Sequence, residues 1–425
     1  MNISPSAAEM LLGSSEALLP DGQDVVRRKV FYVSGFDPLG PRRYRELYRS
    51  EGAEQSRISG YDLNVSRLPR SLAGNYQWHA VHQDGNSRSE ADFEFLGWDD
   101  IVRTSIRPSL IRVYILMFRT LWIYLSSGAI HAMRRLRRGP LIAGLGPAVL
   151  MTFYLVYAAM IGTAAGLALT GPLGVPLAVG LCGGLGAFIL AMYGTFFFEE
   201  QMMIYFMVND LAYSAKEGGR YPEPLCRRLD EFADRIGEAL DSGEYDEVLV
   251  VGHSSGAQLA ISAVSRFLER EGLHNGDRLN VLTLGQSIAM SSFLPEAHQL
   301  RADLARVADE PRVFWLDVTA PGDGACFALT DPVANCREHG RPIQTLNPVV
   351  VSAAFQQTME PGDLKRYRWR LLRMHFQYLC AFAAPKAFDY FLITAGPQSL
   401  SARFSRRECS PSTVYDPVSP VLHPG

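Results

Sequence analysis

The chain has 425 residues, enough for two or three domains or for one large domain that carries an insertion. Charged residues make up only 20% of it, against about 25% in typical globular proteins. The 41 basic and 44 acidic residues give a net charge of −3, which provides no overall basic field for a nucleic-acid backbone. The balance argues against nucleic-acid binding, and no nucleic-acid partner is expected.

Residues 1–28 are predicted to be a flexible segment. They lack the basic and apolar regions of a signal peptide, so we expect the amino terminus to stay in the cytosol. The chain's cysteines show no paired metal-ligand spacing, which is typical of reduced, structural thiols. No metal and no cofactor is therefore expected. The six cysteines are Cys182, Cys226, Cys326, Cys336, Cys380 and Cys409.

Residues 29–105 are predicted to form the first part of an α/β domain. A short apolar strand covers residues 28–36 and ends at a glycine, and a polar helix follows from about 41 to 55. Further strands are predicted at 61–68 and 76–81.

Residues 106–215 are predicted to be a membrane insertion. They contain an uncharged run of sixty residues, 139–198. A bilayer core about 30 Å thick requires about twenty apolar residues per helix, so this run accommodates two spans and a turn. A cluster of Gly and Pro at 170–176 separates a first span at about 147–169 from a second at about 176–196. A buried hairpin in a soluble protein is the alternative.

Small residues within the two spans favour close packing of the helices in lipid. They have GxxxG spacing and are Gly162, Gly166, Gly180 and Gly184.

Four arginines directly precede the first span, whereas the turn between the spans carries no charge. Basic flanks tend to stay on the cytoplasmic side, so both termini are expected in the cytoplasm, at an inner or plasma membrane. An apolar helix at about 108–131 contains Arg112 and Arg119 on one face, which predicts a helix lying along the headgroups. A third span is the alternative for that helix. The four flanking arginines are Arg134, Arg135, Arg137 and Arg138.

Residues 216–398 are predicted to form the second part of the α/β domain, with the chain after 399 as a loosely ordered tail. Apolar strands alternate with helices, which predicts an α/β fold with a mainly parallel sheet wrapped by helices and interrupted by a two-helix transmembrane hairpin. The strands are expected at 248–251, 279–284 and 312–318, and the helices at 224–240, 255–271 and 295–307.

A Gly-His-Ser-Ser-Gly sequence lies between the 248–251 strand and the next helix. A G-x-S-x-G motif in this context predicts a sharp turn that holds its central serine, Ser254, in a strained conformation, with Gly252 and Gly256 avoiding clashes. A similar sequence around Ser287 follows the next strand, but alanine replaces its last glycine. Ser254 is therefore the candidate nucleophile.

This strand and motif resemble the nucleophile elbow of the α/β-hydrolase superfamily, and the surrounding pattern is similar to its lipase-like branch. The resemblance covers about residues 29–105 and 216–395. It implies the chain order serine, acid, histidine, with the acid directly after a later strand. Asp323, in the loop after the 312–318 strand, is the candidate acid, with Asp317 and Asp331 as alternatives.

The same resemblance implies a histidine beyond the acid. His375 lies among apolar residues that could dock it in the core and is the candidate base, with His339 and His423 as the less suitable alternatives. His253, beside the candidate nucleophile, is expected to be structural.

The resemblance also implies an oxyanion hole made of two backbone N–H groups, those of Ser255 and Phe36. The family more often has a histidine where this chain has Ser34, but backbone amides can perform the role whatever that side chain is.

These features predict a membrane-anchored serine hydrolase with a Ser254, His375 and Asp323 triad. Location in the bilayer favours a small acyl-ester, thioester or lipid substrate. Two alternatives stay open: a catalytically silent membrane scaffold with the same fold, and an acyltransferase that uses the same triad.

Overall fold

The computed structural model describes residues 25–71, 73–106, 109–199, 204–274, 276, 278–336, 347–386 and 388–422. Within them the chain forms one eight-stranded sheet covered by helices. The strands are β1 (Arg27–Val33), β2 (Asp62–Arg67), β3 (Gln77–Asp84), β4 (Ser87–Phe95), β5 (Glu247–His253), β6 (Leu279–Leu284), β7 (Val313–Thr319) and β8 (Val349–Ser352).

The helices fall into three groups along the chain. Before the insertion lie α1 (Arg42–Ser59) and α2 (Asp99–Ser105). The insertion contains α3 (Leu110–Ser126), α4 (Ala129–Leu136), α5 (Arg138–Thr170), α6 (Leu177–Glu199) and α7 (Ile204–Ala215). After it follow α8 (Glu223–Asp241), α9 (Gly256–Arg270), α10 (Ile288–Ser292), α11 (His298–Asp309), α12 (Phe355–Thr358), α13 (Pro361–Tyr367), α14 (Leu371–His375), α15 (Tyr390–Ala395) and α16 (Leu400–Phe404).

The strands are arranged in the order β2-β3-β4-β1-β5-β6-β7-β8. The two pairings among β2, β3 and β4 are antiparallel, and the five pairings from β4 to β8 are parallel. The prediction of an α/β fold with a mainly parallel sheet is confirmed. Strands β4 and β8 were not predicted.

The central strands are buried on both faces, because two apolar layers cover the sheet. Along β1, Phe31 and Val33 belong to one layer, whereas Val30 and Tyr32 belong to the other. This alternation follows from the two-residue period of a strand, and it explains why the predicted central strands are continuous apolar runs.

Two helices of the insertion, α5 and α6, are long and apolar enough to cross a membrane. Helix α5 ends at Thr170 and α6 begins at Leu177, on either side of the predicted turn. Helix α5 begins at Arg138, nine residues before the predicted start of the first span, and Pro147 lies inside it. The helix therefore continues past a residue that lacks a backbone N–H donor.

Glycines let the backbones of α5 and α6 approach closely. A Cβ atom added to Gly184 would lie 2.6 Å from the carbonyl oxygen of Gly162, and one added to Gly162 would lie 2.8 Å from that of Gly184. Gly166 similarly faces Gly180. The predicted GxxxG glycines are thus at the contact between the two helices.

The predicted interfacial helix is broken at Gly128, which has a φ of 74°. Helix α3 packs on α7 with one side and exposes large apolar side chains on the other. The alternative of a third span would require α2 and α3 to cross the membrane together as one unit. The angle between these two helices is 103°. The exposed apolar side chains of α3 are those of Ile111, Ile115, Phe118, Trp122 and Leu125.

Part of the segment after residue 399, predicted to be a loosely ordered tail, packs against the core. Helix α16 buries Leu400 and Phe404 in the core. The fully buried Glu247 carboxylate accepts a hydrogen bond from the Leu400 N–H and forms an ion pair with Arg28. The proline and serine content of the tail did not reveal these long-range contacts.

We predict that Gly184→Leu separates α5 from α6, because the added side chain would overlap the backbone of Gly162. The expected loss in free energy of unfolding is about 1–3 kcal/mol, measured by thermal or denaturant unfolding in detergent. Gly186→Leu is the matched control, since a Cβ at Gly186 meets no atom within 4 Å. Equal loss in both variants would contradict the packing account.

Candidate active site

The candidate site lies at the carboxyl edge of the parallel strands. Strand β1 pairs with β5, so Val33 lies opposite Gly252 and the loops after the two strands meet. The loops after β6 and β7 lie at the same edge, because these strands continue the parallel sheet. Ligands bind at this edge in open α/β sheets.

Ser254 lies in a strained turn between β5 and α9. Its φ is 60°, a value that L-residues rarely adopt. A Cβ atom added to Gly252 would lie 2.6 Å from the Cα of Ala257. A Cβ atom added to Gly256 would clash with the backbone at the end of β1 and in the loop that follows it. The two motif glycines are required by this tight packing.

Gly35 brings the β1 loop against Ser254. A Cβ atom at Gly35 would lie 3.0 Å from the Ser254 Cβ and 3.4 Å from its Oγ. The absence of a side chain at Gly35 thus allows the loop backbone to reach the serine.

Asp323 and His375 form a buried pair. The Nδ1 of His375 lies 2.7 Å from Oδ2 of Asp323. Asp323 also accepts hydrogen bonds from the Ala325 N–H at 2.9 Å and the Tyr378 hydroxyl at 3.0 Å. The contact with Asp323 leaves Nε2 of His375 as the nitrogen available to a serine.

The alternative acids have other partners. Asp317 lies inside β7 and accepts a hydrogen bond from the Thr283 hydroxyl at 2.6 Å. Asp331 caps a turn by accepting from the N–H groups of Val333 and Ala334. His339 and His423 lie outside the described residues.

The paired groups shift each other's pKa. Burial alone would raise the pKa of Asp323, but the charge and hydrogen bond of His375, together with the hydrogen bonds from Ala325 and Tyr378, outweigh burial and lower it. Burial alone would lower the pKa of His375, but Asp323 outweighs burial and raises it, with a further contribution from Asp210. Each partner therefore favours the charged form of the other.

His253 supports the His375 segment. Its Nε2 lies 2.9 Å from the His375 carbonyl oxygen, and its ring centroid lies 4.8 Å from that of His375. Burial lowers the pKa of His253 to about 3. A neutral His253 that donates from Nε2 fits the structural role expected from the sequence.

A polar cluster fixes the β1 loop. The Asp37 carboxylate accepts hydrogen bonds from the Leu39 N–H, the Arg43 guanidinium and the Tyr44 hydroxyl. The Arg43 guanidinium in turn stacks over the ring of Phe376, 4.6 Å from its centroid. The cluster thus connects the β1 loop with the segment that carries the candidate base.

A hydrogen bond connects the residues of the two candidate oxyanion amides. The Phe36 N–H donates to the Ser255 Oγ at 2.9 Å, so that amide is engaged by the Ser255 side chain. Ser255 directly precedes α9, and the amino end of a helix favours negative charge.

Ser254 and His375 line one cavity of about 430 Å³. Ser287 also lines it, but its φ of −117° is unstrained. Residues of the insertion also line the cavity, namely Pro140, Ala143 and Gly144 of α5, and Met207, Asp210, Leu211 and Ser214 of α7.

Asp210, Tyr378 and Asp37 were not identified from the sequence. Asp210 is partly buried at the cavity, and burial raises its pKa to about 7. It is the third acidic residue after the predicted second span, following Glu199 and Glu200, a weak signal that could have drawn attention to it. Tyr378, three positions after His375, carries no comparable signal.

Across the described part of the chain, no group of three His, Cys, Asp or Glu side chains could hold a metal ion. Comparisons with models of known families, with curated proteins and with solved structures find no match. The site must therefore be interpreted from its own geometry.

We predict that Asp323→Asn shifts the acid limb of the pH–rate profile to lower pH for any reaction that depends on neutral His375. The variant loses the charge that raises the His375 pKa, so burial dominates and the imidazole stays neutral at lower pH. The maximal rate should fall by about 10²–10⁴-fold, measured as the rate of labelling by a serine-reactive fluorophosphonate at a series of pH values. Asp317→Asn is the control and should keep the wild-type acid limb.

We predict that Asp210→Asn stabilises the protein more at pH 8 than at pH 5. A carboxyl whose pKa rises from about 3.9 in the unfolded chain to about 7 in the folded state reduces stability as the pH rises between these values. Denaturant unfolding at the two pH values measures the difference. Asp84→Asn, exposed in the β3–β4 hairpin, is the control, and a pH-independent effect of Asp210→Asn would contradict the assignment.

Proposed function

We propose that this protein is a membrane-anchored serine hydrolase, of the α/β-hydrolase superfamily, that cleaves an ester or thioester. The observation that carries the proposal is one cavity lined by both a strained serine and a histidine held by a buried aspartate. A nucleophile, a base and a group that orients the base are the components of acyl transfer through a covalent intermediate.

The proposed reaction proceeds in two halves. Ser254 Oγ attacks the substrate carbonyl while His375 Nε2 takes its proton, and the tetrahedral intermediate collapses as His375 protonates the leaving alcohol or thiol. Water then attacks the acyl-Ser254 ester, with His375 again acting as base and then returning the proton to Ser254 Oγ. The products are a carboxylic acid and the alcohol or thiol. Asp323 stabilises the imidazolium in both halves.

Backbone amides of Phe36 and Ser255 would stabilise the negative oxygen of each intermediate. The Phe36 N–H donates to Ser255 Oγ. The proposal therefore includes rotation of the Ser255 hydroxyl away from this amide when substrate binds.

We place α5 and α6 across a membrane, with the α/β body and both termini in the cytoplasm. Large apolar side chains on both helices are exposed, for example Ile142 at 71% and Leu190 at 74%, as expected for helices surrounded by lipid. The arginines before α5 favour the cytoplasmic side, at an inner or plasma membrane.

The architecture of the cavity supports a lipid or other acyl-chain substrate. Apolar side chains such as Leu39, Met207 and Leu211 line it, and the end of α5 that we place on the cytoplasmic side contributes to its lining. An acyl chain could therefore leave the bilayer along α5 and reach Ser254 without crossing water.

A fluorophosphonate probe tests the mechanism, because it reacts with activated serines. We predict that wild type labels and that Ser254→Ala abolishes labelling. Ser287→Ala, which removes another serine hydroxyl from the same cavity, should still label.

Absence of labelling in wild type, together with no turnover of acyl esters, would contradict the proposal and favour the silent scaffold. Labelling lost in Ser287→Ala but kept in Ser254→Ala would contradict the assigned nucleophile. Product analysis with added acceptor alcohols separates hydrolysis from acyl transfer.

A further inference from the structure

A second groove, of about 800 Å³, runs along the cytoplasmic half of α5. Arg134, at the end of α4, and Arg138, at the start of α5, lie at one end of it. The remainder is apolar and includes Ile142, Leu145 and Val149. The groove thus combines a cationic end with a long apolar floor.

We propose that this groove binds one anionic phospholipid, with its phosphate at Arg134 and Arg138 and an acyl chain along α5. The site is separate from the catalytic cavity and independent of the proposed chemistry. It rests only on the proposed placement of α5 in a membrane.

The two arginines are available to an anionic ligand. Both side chains are exposed, and within the described residues neither forms an ion pair with a carboxylate. Arg137 differs, because its guanidinium donates to the carbonyl oxygens of Ala328 and Ser412 and so anchors the helix start to the body. Arginine suits phosphate because its planar guanidinium donates two parallel hydrogen bonds.

The dimensions of the groove fit a lipid in one leaflet. From Arg138 to Phe153 the lining extends fifteen residues, or about 22 Å at the helical rise of 1.5 Å per residue. One leaflet of hydrocarbon is about 15 Å thick. The groove therefore covers both a headgroup and the full depth of a chain.

The groove and the catalytic cavity lie on opposite faces of the same part of α5. Pro140 and Gly144 face the cavity, whereas Ile142, Leu145 and Val149 line the groove. At 3.6 residues per turn these two sets project in nearly opposite directions. A lipid in the groove would thus press on the outer side of a catalytic-cavity wall.

The test is a titration of the full-length protein in detergent micelles, followed by native mass spectrometry, with phosphatidylglycerol or phosphatidylcholine as the lipid. We expect one phosphatidylglycerol to bind wild type at least tenfold more tightly than phosphatidylcholine. The double variant Arg134→Gln/Arg138→Gln should lose this preference. Arg135→Gln is the matched control, because Arg135 is an exposed arginine in the same run that does not line the groove, and it should behave as wild type.

A second variant fills the apolar part without touching the arginines. A Cβ atom at Gly146 meets no atom within 4 Å, so Gly146→Phe should fold and block the chain site. We expect it to weaken binding of both lipids.

Equal binding of the two lipids to wild type would overturn the proposal. If Arg135→Gln reduced the preference for phosphatidylglycerol as much as the double variant does, the proposal would also be overturned. That result would indicate diffuse attraction to the whole arginine run. The readout is lipid mass and needs no catalysis. Arginine-specific binding by a protein that neither reacts with fluorophosphonate nor turns over acyl esters would therefore contradict the hydrolase proposal and support the lipid site.

Discussion

The parallel pairing of β1 with β5 determines the geometry of the whole candidate site. The pairing puts Val33 opposite Gly252, so the two loops that follow must pack on each other. They can do so only because Gly35 and Gly256 have no side chains, and because Ser254 accepts a φ of 60°. Local strain at one residue is thus held by the strand register and by the buried layers on both faces of the sheet.

The insertion between β4 and β5 contributes residues to the candidate site. Helices α5 and α7 close one side of the cavity, and Asp210 places a carboxyl there whose pKa burial raises to about 7. A soluble fragment without the insertion would lack this wall. The helices that would anchor the protein therefore also shape the space next to Ser254, which links the proposed membrane location to the proposed substrate class.

Features encoded by local sequence were predictable. The G-x-S-x-G motif after an apolar strand indicated the strained turn at Ser254, and the uncharged run indicated two long apolar helices. The contact between Asp323 and His375 was expected from a family resemblance. Features set by long-range contacts were missed: β4, which lacks a clear apolar pattern, the packed tail fixed by Glu247, and Asp210, which depends on where α7 docks.

The most direct measurement of the central claim is a structure of the full-length protein in lipid nanodiscs after reaction with a long-chain alkyl fluorophosphonate. The account predicts phosphorus bonded to Ser254 Oγ, His375 Nε2 within hydrogen-bonding distance of the adduct, and the phosphoryl oxygen between the Phe36 and Ser255 amides. The alkyl chain should lie against Pro140 and Gly144 of α5. An adduct on another residue, or a His375 that stays remote from the Ser254 adduct, would contradict the account.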